Sequence, residues 1–105
     1  MKILYNVTVS VDVNVSEKWL DWMEKVHIPD VLNTGLFIEA KLSRVLAEEE
    51  GGKTYAVQYL LESMDDYNRY KENHAGFLQE EHQKLFADST VAFRTLLEVK
   101  ASFSK

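Results

Sequence analysis

The sequence predicts an α+β fold in the order β-α-β-β-α-β, a four-stranded antiparallel sheet with both helices on one face. Three observations predict it: period-two alternation near both ends of the chain, two stretches of helical periodicity, and a paired-glycine tip between two further strand patterns. With 105 residues, 46% of them hydrophobic and 28% charged, the chain is expected to form one compact domain, residues 1–105. Its composition is far from the polar, charge-dominated signature of disorder.

Ile3, Tyr5, Val7, Val9, Val11 and Val13 alternate with Leu4, Asn6, Thr8, Ser10 and Asp12, which predicts a long strand over about residues 2–13. Ser16 is the expected N-cap of the first helix, with Val15 and Leu20 as its hydrophobic staple. Trp19, Trp22, Met23 and Val26 recur at helical spacing, so that helix covers about residues 17–27 with Met23 and Val26 facing the core. Pro29 disfavours a helical Ile28 but suits the start of a turn. "PDVLNTG" therefore reads as a separate short helical piece ending at Gly35, with a kink just after His27. Residues 37–46 and 54–62 are strands of a hairpin, joined by the solvated acidic tip "AEEEGGK".

Ser63 and Asp66 resemble a capping box, and Tyr67, Tyr70, His74, Phe77, Leu78, Glu81 and Leu85 form the stripe of a second helix over about residues 64–85. Residues 90–100 alternate again as the last strand. This order is the split-βαβ, ferredoxin-like arrangement.

Alternation assigns two sheet faces. Ile3, Tyr5, Val7, Val9, Tyr55, Val57, Tyr59 and Leu61, together with Val91, Phe93 and Leu97, are expected to pack on the helices. Leu4, Asn6, Thr8, Ala56, Gln58, Leu60, Ala92, Arg94 and Leu96 fall on the other face, too apolar for open solvent. A second copy related by a twofold axis is the simplest cover, which predicts a homodimer through the sheet face.

Seventeen acidic against twelve basic side chains give a net charge of −5, so no basic patch offers itself to nucleic acid. The absence of cysteine excludes disulfides, thiolate metal sites and a thiol nucleophile. The N-terminal stretch alternates and lacks a continuous apolar run, so it reads as a strand, with no membrane partner expected and a cytoplasmic location.

His27 is expected at the mouth between the first helix and the sheet, where the helix end alone would also stabilise it. His74 is expected at the centre of the second stripe, facing Tyr5, Tyr55 and Tyr59, either bonded to a tyrosine or acting on a ligand. His82 is expected on the solvent flank. The two are about 12 Å apart along the helix, too far for one ion, so no metal is expected. Tyr5, Trp22, Tyr55, Tyr59 and Tyr70 make the space between helices and sheet aromatic, as core or as the lining for a small amphipathic ligand. Arg94 or Arg44 is the candidate anchor for an acidic group, Arg94 within a polar cluster with Asn6 and Gln58 inside the dimer. Snorkelling at a strand end is the plainer reading of Arg44.

The long first strand, an aromatic helix with "HIP" near its end and a hairpin before the second helix resemble the dimeric α/β-barrel superfamily, in which two ferredoxin-like sheets face each other. The resemblance implies a small substrate near His27. It also implies a haem alternative in which His74 is the iron ligand, although other features of a haem site are lacking, and no cofactor is expected. More closely, "YNVTV", "HIPDVL", "TYAVQY", "YKENHA" and "AFRTLLE" resemble a family of uncharacterised bacterial proteins, the domain of unknown function DUF4286, which implies no reaction. Together these readings describe a homodimeric small-molecule-binding protein, as an enzyme of isomerase or monooxygenase type with His27 or His74 as proton carrier. The alternative is a non-catalytic interaction or sensor module.

Overall fold

In the computed structural model, which describes residues 1–47 and 49–105, the chain folds as β1 (Ile3–Asp12), α1 (Ser16–Trp22), α2 (Ile28–Leu32), β2 (Glu39–Arg44), β3 (Gly52–Leu61), α3 (Met64–Tyr70), α4 (Gly76–Phe86) and β4 (Thr90–Glu98). The sheet order is β2-β3-β1-β4, antiparallel throughout, which is the ferredoxin-like topology. Glu48, in the acidic hairpin tip, lies outside the described residues.

Two wide turns shape the helical layer. A π-turn, Met23–His27, joins α1 to α2, and a second, Lys71–Ala75, joins α3 to α4. Each adds about one residue to its turn, so the side chains after it are one position out of step with plain α periodicity. The second helical arm therefore buries Tyr70, Ala75, Leu78 and Phe86, and leaves Phe77 and Leu85 exposed. Beyond Tyr70 the expected stripe holds at Leu78, while Phe77 and Leu85 give way to Ala75 and Phe86. In the first arm the same slip exposes Val26 and buries Val31, contrary to the placing of Val26 in the core.

The expected kink after His27 is also corrected. His27 and Ile28 both keep helical dihedrals, and Pro29 sits in the first turn of α2, where a missing N–H leaves least unpaired. Ser16 is not an N-cap: it is buried inside α1, and its hydroxyl donates to the carbonyl of Val13. Ser63 caps α3 as expected, accepting from the Asp66 N–H. Gly35 (φ 80°) closes α2 by donating to the Leu32 carbonyl.

Register settles the faces. Tyr5 pairs with Tyr59, and Val7 with Val57, so the tyrosine and valine set of β1 and β3 lies under the helices as expected. In β4 the expectation is reversed. Arg94 pairs with Val7 and Ala92 with Val9, so these two share the helix side. Val91, Phe93 and Leu97 point to the bare face, at 60%, 67% and 45% exposure. Val91, Phe93 and Leu97 are the more apolar set of β4, so hydrophobicity alone favours the wrong face; the ladder to β1 sets the phase, and a one-residue change of register would exchange the faces.

Candidate functional site

Under the helices, the sheet and the two π-turns leave a narrow cavity. Tyr5, Val7, Val57 and Tyr59 form its floor, Ala92 and Arg94 its β4 side, and Met23, His27, Tyr70, Gln79 and His82 its roof. It encloses about 440 Å3 of empty space including its mouth, of which about 40 Å3 admits the centre of a water molecule. That is room for a few waters or one small polar group.

His27 lies at the end of the first π-turn, which swings it under α2 beside the cavity. Its Nδ1 is buried with no hydrogen-bond partner among the described residues. Burial above all, then His82 and the Arg94 guanidinium, push its pKa down to about 4, so the ring is neutral at pH 7 with one nitrogen bare. The indole of Trp22 packs on it at 5.2 Å and on Phe86 at 5.5 Å, which makes Trp22 a support behind the histidine.

His82, placed by the plain helical period on the solvent flank, is instead brought to the cavity by the second π-turn. It accepts a hydrogen bond from Trp19 Nε1 at 2.9 Å, and its ring stands 6.0 Å from that of His27. Burial and the Arg94 charge lower its pKa as well. Arg94 therefore belongs to this cavity, and not to a polar cluster with Asn6 and Gln58 on the opposite face. Among the described residues it makes no ion pair.

Tyr5, Tyr59 and Tyr70 meet here as a ring cluster, with Tyr5 5.9 Å from Tyr59 and 6.0 Å from Tyr70. Burial raises the pKa of all three phenols, most strongly for Tyr59 and Tyr70, and Arg94 partly offsets this for Tyr5. All three remain neutral hydrogen-bonding groups.

Three expected residues lie elsewhere. Tyr55 is buried against Trp19 at 5.0 Å, away from the cavity, and with exposed Arg44 it borders a separate surface groove beside Glu17 and Glu24. His74 does not face the tyrosines of the sheet. It lies in an outer groove with Asp30, Asn33, Thr34, Asn73 and Phe77. Leu78 completes the lining, which mixes polar and apolar side chains. Among the described residues no three His, Asp or Glu side chains gather as a metal site. Gln79, His82 and Ala92, the last expected on the opposite face, are lining residues that sequence reasoning missed, and Met23 was expected only as core. The signal for the first two was present only in combination: Gln79, His82 and Phe86 share a helical face once the π-turn is known.

A one-sided α/β sandwich with a buried slot between its layers defines a ferredoxin-like protein. The chain belongs to the family described as domain of unknown function DUF4286, whose model matches residues 2–100. No curated protein matches it. Solved structures with the same fold include a dimeric ferredoxin-like protein from an uncultured marine organism, 17% identical, with TM-score 0.75 over 98% of this chain and 99% of that one. SnoaB, a cofactor-independent oxygenase from Streptomyces nogalater, is 12% identical with TM-score 0.71 over 100% of both chains. A candidate antibiotic biosynthesis monooxygenase from Bacillus cereus is 15% identical with TM-score 0.70, covering 99% of this chain and 98% of that one. At these identities the likeness is one of fold. No helix of the described residues is long and apolar enough to cross a membrane.

Proposed function

We propose that the protein is a homodimer that binds a small organic molecule in the helix–sheet cavity, with His27 as proton acceptor and Arg94 as anchor for an acidic group. The observation that carries this reading is the buried Nδ1 of His27, without a hydrogen-bond partner among the described residues, on a cavity shared with the Arg94 guanidinium. Buried polar atoms are normally satisfied, and an exception beside a cavity suggests a partner supplied by a ligand. The small free volume bounds that ligand: one polar group enters, and the rest of the molecule lies at the mouth beside Arg94.

The chemistry available is removal of a proton from a carbon or oxygen acid. The C–H or O–H bond breaks, the proton goes to the His27 imidazole, and the charge left on the substrate is stabilised by Arg94. Isomerisation and monooxygenation of activated carbon both begin this way. The cofactor-independent oxygenase among the structural relatives supports the monooxygenase-type reading, in which no bound cofactor is needed. His74, on its separate groove, takes no part. The dimer is supported by the exposed apolar side chains of the bare sheet face and by the dimeric relatives.

Native mass spectrometry of the freshly purified dimer tests the reading, with an adduct expected on the wild type and lost in Arg94→Gln. Titration with 1-hydroxy-2-naphthoate, followed by tryptophan fluorescence through Trp22, is the second arm. No adduct together with no response to the probe would overturn it in favour of a non-catalytic interaction or sensor module, the reading that the small cavity volume favours.

A further inference from the structure

His82 is not used by the reading above, yet its one hydrogen bond decides its chemistry. An indole N–H can only donate, so the 2.9 Å contact from Trp19 requires His82 Nε2 to be the bare, accepting nitrogen. The neutral ring must then carry its proton on Nδ1. Trp19 is fully buried and held against Tyr55, so the donor that imposes this tautomer does not move away. Protonating Nε2 would break the bond and strand the indole N–H in the interior. His82 Nδ1 has no hydrogen-bond partner among the described residues and, unlike His27 Nδ1, is not sealed from solvent. His82, whose tautomer is fixed, the Arg94 guanidinium and the His27 imidazole line the same cavity.

We propose that Trp19 is a positioning residue that sets His82 as an Nδ1–H donor, and that the cavity is thereby selective for a ligand oxyanion, a carboxylate or enolate oxygen, received jointly by His82 and Arg94. The ligand half of this inference rests on the proposed binding function; the tautomer half does not. A planar oxyanion suits the slot better than a tetrahedral phosphate, because only about 40 Å3 of it admits the centre of a water molecule.

Long-range proton–nitrogen correlation spectra of the ligand-free, nitrogen-15-labelled protein read the tautomer directly. At neutral pH the wild type is expected to show His82 protonated on Nδ1 alone, and Trp19→Phe to show both tautomers. Benzoate and benzamide, a matched anionic and neutral pair, are the binding probes. Benzoate is expected to bind about tenfold more tightly than benzamide. The preference should be reduced in Trp19→Phe, more strongly in His82→Phe, and retained in His82→Asn, whose amide restores a donor.

A His82 ring carrying its proton on Nε2, or a charged ring, would overturn the positioning role of Trp19. Equal binding of the two probes to the wild type would overturn the selectivity. If neither probe binds while the spectrum shows the Nδ1–H form, the cavity reading fails and takes the ligand half with it, whereas the tautomer stands. Should Trp19→Phe not fold, the His82 pair of variants decides.

Discussion

An unpaired buried nitrogen such as His27 Nδ1 costs on the order of 1–3 kcal/mol. Replacing His27 by phenylalanine removes that cost and keeps an aromatic ring against Trp22. His27→Phe is therefore expected to raise stability by about 1 kcal/mol, several degrees in Tm for a domain of this size, while abolishing the proposed binding. A lower Tm in thermal unfolding would show that the nitrogen is not a liability in the free protein. The same histidine sets a pH dependence. Its folded pKa of about 4 lies below the unfolded value near 6.5, so above pH 6.5 neither state binds the proton and stability is unaffected. As pH falls from 6.5 to 4 the unfolded state binds more protons, and stability drops by up to about 3 kcal/mol. His82, shifted in the same direction, adds to this. Denaturant unfolding at pH 7, 5 and 4 checks the slope, which His27→Phe should make shallower; an unchanged slope would mean that His27 is solvated. Tyr5, Tyr59, Tyr70 and His27 were legible in the sequence as site residues because each precedes or lies within the first disturbance of its element. His82 and Gln79 were not, because they follow a change of period that composition does not announce.

That change of period is a property of elements. Each helical arm reads correctly up to its π-turn and is displaced beyond it, so Phe77 and Leu85, apolar and well spaced, ended on the surface while Leu78 stayed buried. The consequence is testable by deletion. Glu72 is exposed within the second π-turn, and Glu72→Ala removes no buried contact, so it should change stability by less than about 0.5 kcal/mol. Deleting Glu72 restores α spacing and turns Leu78, His82 and Phe86 by about 100° relative to the sheet. It is expected to destabilise by more than about 4 kcal/mol, through lost burial of Leu78 and Phe86 and the lost Trp19–His82 bond. Equal denaturation midpoints for the two variants would show that the wide turn is not what aims α4. The strand elements were more legible than the helical ones. Alternation in β1 and β3 has only one apolar set, and pairing of Tyr5 with Tyr59 and Val7 with Val57 follows once that set must face the helices.

At the scale of the whole molecule, β4 decides both what enters the cavity and what remains outside it. Its pairing with β1 sends Arg94 to the helix side, and leaves on the bare face Val91 and Phe93 beside Ser10 and Thr8, and Leu97 beside Leu4. Neither consequence was readable from β4 alone, because Val91, Phe93 and Leu97 are its more apolar set and only the ladder to β1 shows that they face outward. If that face meets a second copy across a twofold axis, every substitution on it enters the interface twice. Phe93→Glu would place a carboxylate from each copy against apolar surface, with no partner in the described chain to neutralise it. Phe93 is 67% exposed in the isolated chain, so the change should leave the protomer folded, with an unaltered far-ultraviolet circular dichroism spectrum. The expected outcome in light scattering at micromolar concentration is a wild-type mass of twice the 12.2 kDa protomer, and the protomer mass for the variant. A variant that stays dimeric would move the interface to another surface. Because Phe93 and the cavity lie on opposite sides of the sheet, the monomeric variant also separates the two halves of the proposed function. Retained binding of 1-hydroxy-2-naphthoate by Phe93→Glu would mean that one chain completes the site, and its loss would mean that assembly is needed to hold β4 and Arg94 in place.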